Sequence, residues 1–460
     1  TKNISNPQIV ANNYLHVLNS HPDFLKRYKL SNIKKALLSL RFTFIYLVRI
    51  INSLFESKCF FANKKNIKCD ILFVSHLTNE KQLFCDRDSY FGNLSNQLIE
   101  QGMTSGTALI NHTNVSNRNV LSRWKGGKVL KFLLSRNLDL FSEIKLYFSQ
   151  KKSKKQLINS LKSLKVDKTL IEDIICNHLS SDTFNALRIA SQVSNIAKKI
   201  NAKYVVTTFE GYAWERLVYY YVRKANPRIK CLGYQHAAVS INHHAIRRPL
   251  NNEYDPDVFL TSGLLTKKIF HKNNFNDLNI TCIGSPKYLV TSSLKRDRYC
   301  CLVVPEGIIS ECLLLFKFSM SYAKKYPKQK FIWRLHPLLN FKRLRKYSNL
   351  FKKIPNNIQL SEASLDEDIL KCDSVLYRGS TAVFNAINGG LKPIYYKNSI
   401  NELSFDPIFQ QLQGKGIVQN HRELSLELNK ALKIRDREEL QYFAQNFYTP
   451  LDLKAFIGAM

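Results

Sequence analysis

Glu210, Gln235 and His236 are the residues of this chain whose types and spacing first suggest chemistry. A carboxylate can take a proton from a hydroxyl, and an imidazole can orient that hydroxyl or assist the base. Each closes a short apolar run: 204–206 precedes Glu210-Gly211, and 229–234 precedes Gln235-His236. Between them Trp214, Leu217, Val218 and Tyr221 recur at the spacing of one buried helical face, and Asn226-Pro227 stops that helix. Residues 203–236 therefore read as a βαβ unit with parallel strands about 5 Å apart. Glu210 and His236 then share the C-terminal edge of one sheet, where open α/β sheets bind ligands. A single glutamate after a strand is as often a first-turn residue favoured by the helix dipole. The pairing carries the reading as an acid–base site.

A second group lies in the C-terminal half. Arg378-Gly379-Ser380-Thr381 follows the apolar run 374–377 and precedes a helical pattern ending at Gly389-Gly390. Glycine allows close backbone approach, and hydroxyls with free N–H groups at a helix N-terminus suit a phosphate. Two ordinary N-cap residues would look the same. Arg334-Leu335-His336-Pro337 ends the run 330–335, and Pro337 restricts His336. His336 could reach the same phosphate or be a structural turn histidine. Glu306-Gly307 turns the strand 299–304 into a helix over 308–324. These residues form a candidate phosphate-binding set, and Tyr90, Gly92 and Gln235 are candidates to line a substrate site on the first sheet.

The bulk properties narrow the partners. The chain has 460 residues, 45% of them hydrophobic and 12% aromatic, which predicts two or three folded domains and excludes general disorder. Its 69 Lys and Arg against 35 Asp and Glu leave a net charge of +34. Such an excess attracts nucleic acid, anionic membranes or phosphorylated substrates. The basic residues are dispersed along the chain, which favours a membrane surface or anionic ligand over a dedicated nucleic-acid arm. Ten scattered cysteines, with no CxxC, suggest a reducing compartment and neither zinc nor a disulfide framework. Asp86-x-Asp88 matches a short metal-binding pattern that arises often by chance, and His243-His244 lack a second ligand cluster. No metal is expected.

The elements fall into an order. Residues 1–66 read as a basic helical extension whose segment 36–55 is the most apolar in the chain, interrupted by Arg41, Arg49 and Asn52. A narrow polar stripe including Tyr46 and Ser53 leaves it a wide apolar face, which fits a buried bundle helix. The alternative is a helix lying in a membrane interface beside Lys34, Lys35 and Lys58. An α/β domain with a helical insertion over 120–197 extends through 67–285. A second α/β domain covers 286–447, with 393–396 as its closing strand, and a tail occupies 448–460. Ser364-x-x-Glu367 marks a helix start within it.

The set FEGYAWE, GYQH, PEG, RLHP and RGST, spanning about 69–396, resembles bacterial surface-carbohydrate biosynthesis proteins. The C-terminal half resembles the nucleotide-binding domain of GT-B glycosyltransferases with an HP motif, such as sialyltransferases, polysialyltransferases and Kdo transferases. The resemblance implies two Rossmann-like domains facing a cleft, and transfer of a sugar from a CMP-activated donor to a surface glycan or lipid-linked acceptor. It implies phosphate contacts from His336-Pro337 and Ser380-Thr381 and a base at Glu210, although Phe209 stands where relatives carry a first acidic residue. His236 would assist, and Arg334 or Arg378 would add charge. Some relatives invert and some retain configuration. The nucleotide-sugar is a substrate, and no separate cofactor is expected. The expected location is cytoplasmic, peripheral on the inner face of the membrane. A CDP-glycerol-type glycerophosphotransferase, a sugar epimerase, and a basic RNA- or membrane-binding protein with a degenerate site are the other readings.

Overall fold

The structure, a computed structural model, describes residues 44–54, 68–113, 115–123, 127–162, 181–237, 239, 244–272, 279–288, 300–336, 339–399 and 406–460. Pro337, His243 and the lysines at 34, 35 and 58 lie outside the described residues.

Two parallel sheets organise the chain. The first contains β1 (Ile71–Leu77), β2 (Ser105–Asn111), β3 (Leu130–Leu133), β4 (Tyr204–Thr208), β5 (Lys230–Gln235), β6 (Val258–Thr261) and β7 (Asn279–Cys282). Their order is β3-β2-β1-β4-β5-β6-β7. The second contains β8 (Cys300–Val304), β9 (Lys330–Trp333), β10 (Ile358–Leu360), β11 (Ser374–Tyr377), β12 (Lys392–Tyr396) and β13 (Gly416–Val418). Its order, β10-β9-β8-β11-β12-β13, repeats the logic of the first. In both sheets the direction of winding reverses beside the first strand, between β1 and β4 and between β8 and β11. Such a reversal opens a crevice at the strand C-termini.

The strands are continuous apolar runs because helices cover both faces. β8, CCLVV, is buried throughout. Among the helices, α1 covers residues 44–54, α2 Leu140–Lys162, α3 Ser181–Lys199 and α4 Ala213–Ala225. In the second domain α5 is Ile309–Lys325, α6 Ala382–Asn388 and α7 Ile434–Phe447. α8 (Leu453–Ala459) lies within the expected tail and returns to the first domain. Its Phe456 stacks on Phe73 of β1, and Lys230 of β5 donates to the carbonyls of Ala459 and Met460. The described cysteines are free thiols.

The βαβ reading of 203–236 holds, with β4 and β5 parallel neighbours and Thr208 opposite Tyr234. The Ser364 capping box is also present: Ser364 Oγ accepts from the Glu367 amide, and Glu367 accepts from the Ser364 amide. Two expectations need correction. The stretch 120–197 is not helical throughout, because Leu130–Leu133 forms the edge strand β3. The second sheet closes on β13, not on 393–396, since Ile394 to Tyr396 pair onward with Gly416 to Val418. Both omitted strands are three or four residues long, too short for an alternation to register.

α1 also differs from a buried bundle helix. Tyr46 and Ser53 are buried against the protein, whereas Phe44, Leu47, Ile51 and Leu54 face outward. Tyr46 donates to the Glu143 carbonyl and stacks on Tyr147, and Arg49 donates to Asn185. Its polar stripe is the inward one because α2 and α3 offer a buried ion pair, Glu143 with Arg188 at 2.6 Å.

Candidate active site

The register of β4 and β5 sets Glu210 and His236 each two residues beyond a paired position, at the same height on one edge. His236 Nε2 lies 3.4 Å from Glu210 Oε1. The Glu210 loop is held by Glu215 in the first turn of α4. That carboxylate accepts from the Glu210 amide at 3.0 Å and the Tyr212 amide at 2.7 Å. Gly211 permits the loop, since φ is +82° and a Cβ would collide with the Ala245 backbone. Burial raises the pKa of Glu210, with Tyr212 and Lys287 pulling it back down. A carboxyl so raised is a stronger base once ionised. Burial also holds His236 well below the ordinary imidazole value, so its ring is neutral at pH 7.

Aromatic and imidazole rings surround this pair. The Tyr90 ring stands edge-on to His236 at 4.6 Å, and His76 stands edge-on to both Tyr90 and Trp214. His76 bonds His112 at 2.8 Å and Thr208 at 3.1 Å, and burial lowers its pKa to about 3. Gln235 has a different position from that expected of a substrate contact. It is fully buried, and its Oε1 accepts from the amide and hydroxyl of Ser262.

On the second sheet β8 lies between β9 and β11, with Val303 opposite Trp333 and Val304 opposite Tyr377. Glu306, His336 and Gly379 therefore stand level across three adjacent strand ends. A Cβ on Gly307 would come within 3.0 Å of His336 Nδ1, and one on Gly379, where φ is +64°, would strike the Glu306 carboxylate. The three motifs thus form one surface. Burial, then Lys287, lowers the His336 pKa. Thr381 occupies the N-cap of α6 without a side-chain cap bond, and Ser380 is buried beside it.

The two arginines of these motifs are engaged elsewhere. Arg378 is 2% exposed, with Nε 2.6 Å from Glu311 Oε2 and Nη1 on the Tyr396 carbonyl. Arg334 bonds Asp368 at 2.8 Å and the Ala363 carbonyl at 2.6 Å. Each is held by groups of its own domain.

The edges of the two domains meet at the linker after β7. Gly92 sits against Pro286, 2.7 Å from a Cβ placed on the glycine, and this brings the Tyr90 loop to the linker. The next residue, Lys287, has its Nζ 3.5 Å from the His236 carbonyl and 5.8 Å from the Tyr448 ring centre. Its charge acts on Glu210 in one domain and on His336 in the other. Tyr448 faces Thr381 with its buried hydroxyl and senses the Glu210 charge. The Lys287 charge thus couples to Glu210 at the strand ends of one domain and to His336 at those of the other. Neither Lys287 nor Tyr448 stands in a motif, and only the meeting of the domains makes them part of the site. Glu215 was not singled out from the sequence, although its place three residues after the helix-capping Tyr212 is the signal that could have found it.

Asp86 and Asp88 serve separate loops. Asp88 accepts from the Ser75 hydroxyl and from the amides of Tyr90 and Phe91, whereas Asp86 accepts from the Lys128 amide. Among the described residues no cluster of three His, Cys, Asp or Glu is placed to hold a metal ion.

No family model matches the chain, and no curated protein matches it in sequence. Solved structures do. The glycotransferase of kitacinnamycin is similar over 85% of this chain and 98% of its own, at 10% identity and a TM-score of 0.50. CalG4, the calicheamicin glycosyltransferase, is similar over 85% of this chain and 97% of its own, at 10% identity and a TM-score of 0.49. The UDP-GlcNAc 2-epimerase from Neisseria meningitidis is similar over 85% of this chain and 98% of its own, at 12% identity and a TM-score of 0.47. At such identities the likeness is one of fold. Two parallel α/β domains, wound alike and meeting at their strand C-termini, give this chain the GT-B fold.

Proposed function

We propose that the chain is a glycosyltransferase that moves a sugar from a CMP-activated donor, of the sialic acid or Kdo type, to a surface-glycan or lipid-linked acceptor. The observation that supports this most directly is the carboxylate–imidazole pair at the strand ends of one domain together with three convergent strand-end motifs on the other. A peripheral position on the inner membrane face belongs to the same reading, with the net basic charge as its support.

In this reading Glu210 takes the proton of the acceptor hydroxyl as that oxygen bonds to the anomeric carbon. The bond from that carbon to the phosphate oxygen breaks, and CMP leaves with the electron pair. Neutral His336 and the hydroxyls of Ser380 and Thr381 supply hydrogen bonds to the departing phosphate, and Lys287 supplies charge. Such fixed donors make a metal unnecessary. Full activity in excess chelator is expected, and its loss would return Asp86 and Asp88 to consideration. His236 holds the acceptor beside the base, within the walls formed by Tyr90 and Trp214.

Nucleotide preference is the first test. A ligand at about 100 times its Kd stabilises a fold by about 2.7 kcal/mol. In a thermal-shift comparison of CMP, CDP, UDP and GDP, CMP is expected to raise the melting temperature most. No shift with any of them would overturn the proposal. Product analysis with a labelled donor then separates sugar transfer from glycerol phosphate transfer.

The pH profile tests Lys287. Its cation lowers the Glu210 pKa, so Lys287→Met should move the acid limb of kcat/KM to higher pH. An unmoved limb would remove Lys287 from the site.

A further inference from the structure

α1 is amphipathic in the inverted sense. Tyr46, Arg49 and Ser53 face the protein, while Phe44, Leu47, Ile51 and Leu54 are more than half exposed. Exposed large apolar residues occur singly on most soluble proteins, but four on one short helix form a patch that calls for an occupant. The neighbouring helix α2, on which Tyr46 packs, has a related outer face. At 100° per residue Phe141, Lys145, Phe148, Lys152 and Lys155 share that side. Phe141 is 82% and Phe148 63% exposed, and Lys145, Lys152 and Lys155 are exposed beside them.

We infer that α1 and the outer face of α2 form a docking surface for an anionic lipid bilayer, with α1 lying in the plane of the headgroups. Apolar rings and aliphatic side chains set among lysines suit a boundary that is hydrocarbon below and negatively charged above. One side of α1 is held by the protein, Tyr46 on the Glu143 carbonyl and Arg49 on Asn185, so the helix lies along the membrane surface and does not cross it. Among the described residues no helix is long and apolar enough to span a bilayer. A second copy of the chain is a poorer occupant, because two bodies of net charge +34 would bring like charges together. The inverted orientation is stable because the polar side of α1 has partners inside. The Glu143–Arg188 pair sits below Tyr46, and Asn185 accepts from Arg49.

The test is flotation of the full chain with vesicles of phosphatidylcholine alone or mixed with phosphatidylglycerol. Binding is expected only to the mixed vesicles, weakening as salt is raised. Leu47→Glu/Ile51→Glu should lower the partition coefficient about tenfold or more. Lys145→Ala/Lys152→Ala should reduce the preference for phosphatidylglycerol. These positions are exposed, and an unchanged circular dichroism spectrum would confirm folding. Phe44→Trp supplies a separate readout: its fluorescence should shift to the blue on vesicles and be quenched by brominated acyl chains. Absence of vesicle binding, equal binding by the glutamate variant, or an unquenched Trp would each overturn the inference. So would a dimer that the glutamate variant converts to a monomer.

Discussion

Glu210→Gln is expected to lower kcat by about 10²–10⁴-fold while leaving CMP binding intact. Glutamine keeps the shape and polarity of the side chain but cannot accept the acceptor proton. The Glu215 carboxylate that shapes the loop bonds backbone amides, so the loop geometry should survive the exchange. Stability supplies a control. Burial raises the folded-state pKa of Glu210, so the folded state holds its proton more tightly than the unfolded chain does. That contribution to stability is lost as pH rises from the unfolded value through the folded one. Removing the carboxyl should therefore leave stability at neutral pH unchanged or higher. Steady-state rates with a saturating donor, read beside a melting curve, check both halves. Transfer at the normal rate would exclude Glu210 as the base.

Arg378→Met should fail in a different way, by destabilising the second domain. The guanidinium is paired with Glu311 where both side chains are almost fully buried. Deleting one partner of such a pair costs about 3–5 kcal/mol, because an uncompensated charge stays behind. Replacing both, as in Arg378→Met/Glu311→Leu, should recover most of the loss. Chemical denaturation of the two variants measures this. If Arg378→Met leaves stability intact and instead weakens CMP binding, the arginine reaches the donor after all.

Arg378 also illustrates where reading from sequence stops. The residues before and after a strand-end glycine look alike whether they meet a ligand or the core. The deciding partner, Glu311, lies on α5, far away in the chain. The strand ends themselves were legible, because parallel strands buried on both faces are continuous apolar runs punctuated by glycine, proline or polar residues. That is why the sequence alone places Glu210, His236, Glu306, His336 and Gly379 on two sheet edges. Lys287 and Tyr448 were not legible. A lysine after Ser285-Pro286 has no distinguishing neighbours, and its role depends on two domains closing around it. The short strands β3 and β13 escaped notice because pairing, not pattern, makes them strands. For α1 the amphipathic pattern was visible, but its direction depends on the ion pair beneath Tyr46.

The return of α8 bears on how the chain matures. Phe73 and Phe91 of the first domain share a cluster with Phe456, which follows the whole second domain in the chain. During translation the first sheet thus keeps an uncovered greasy flank while the whole second domain is still being made. Closure of that flank therefore waits for the second domain to be made, and that interval is when a chaperone would be needed most.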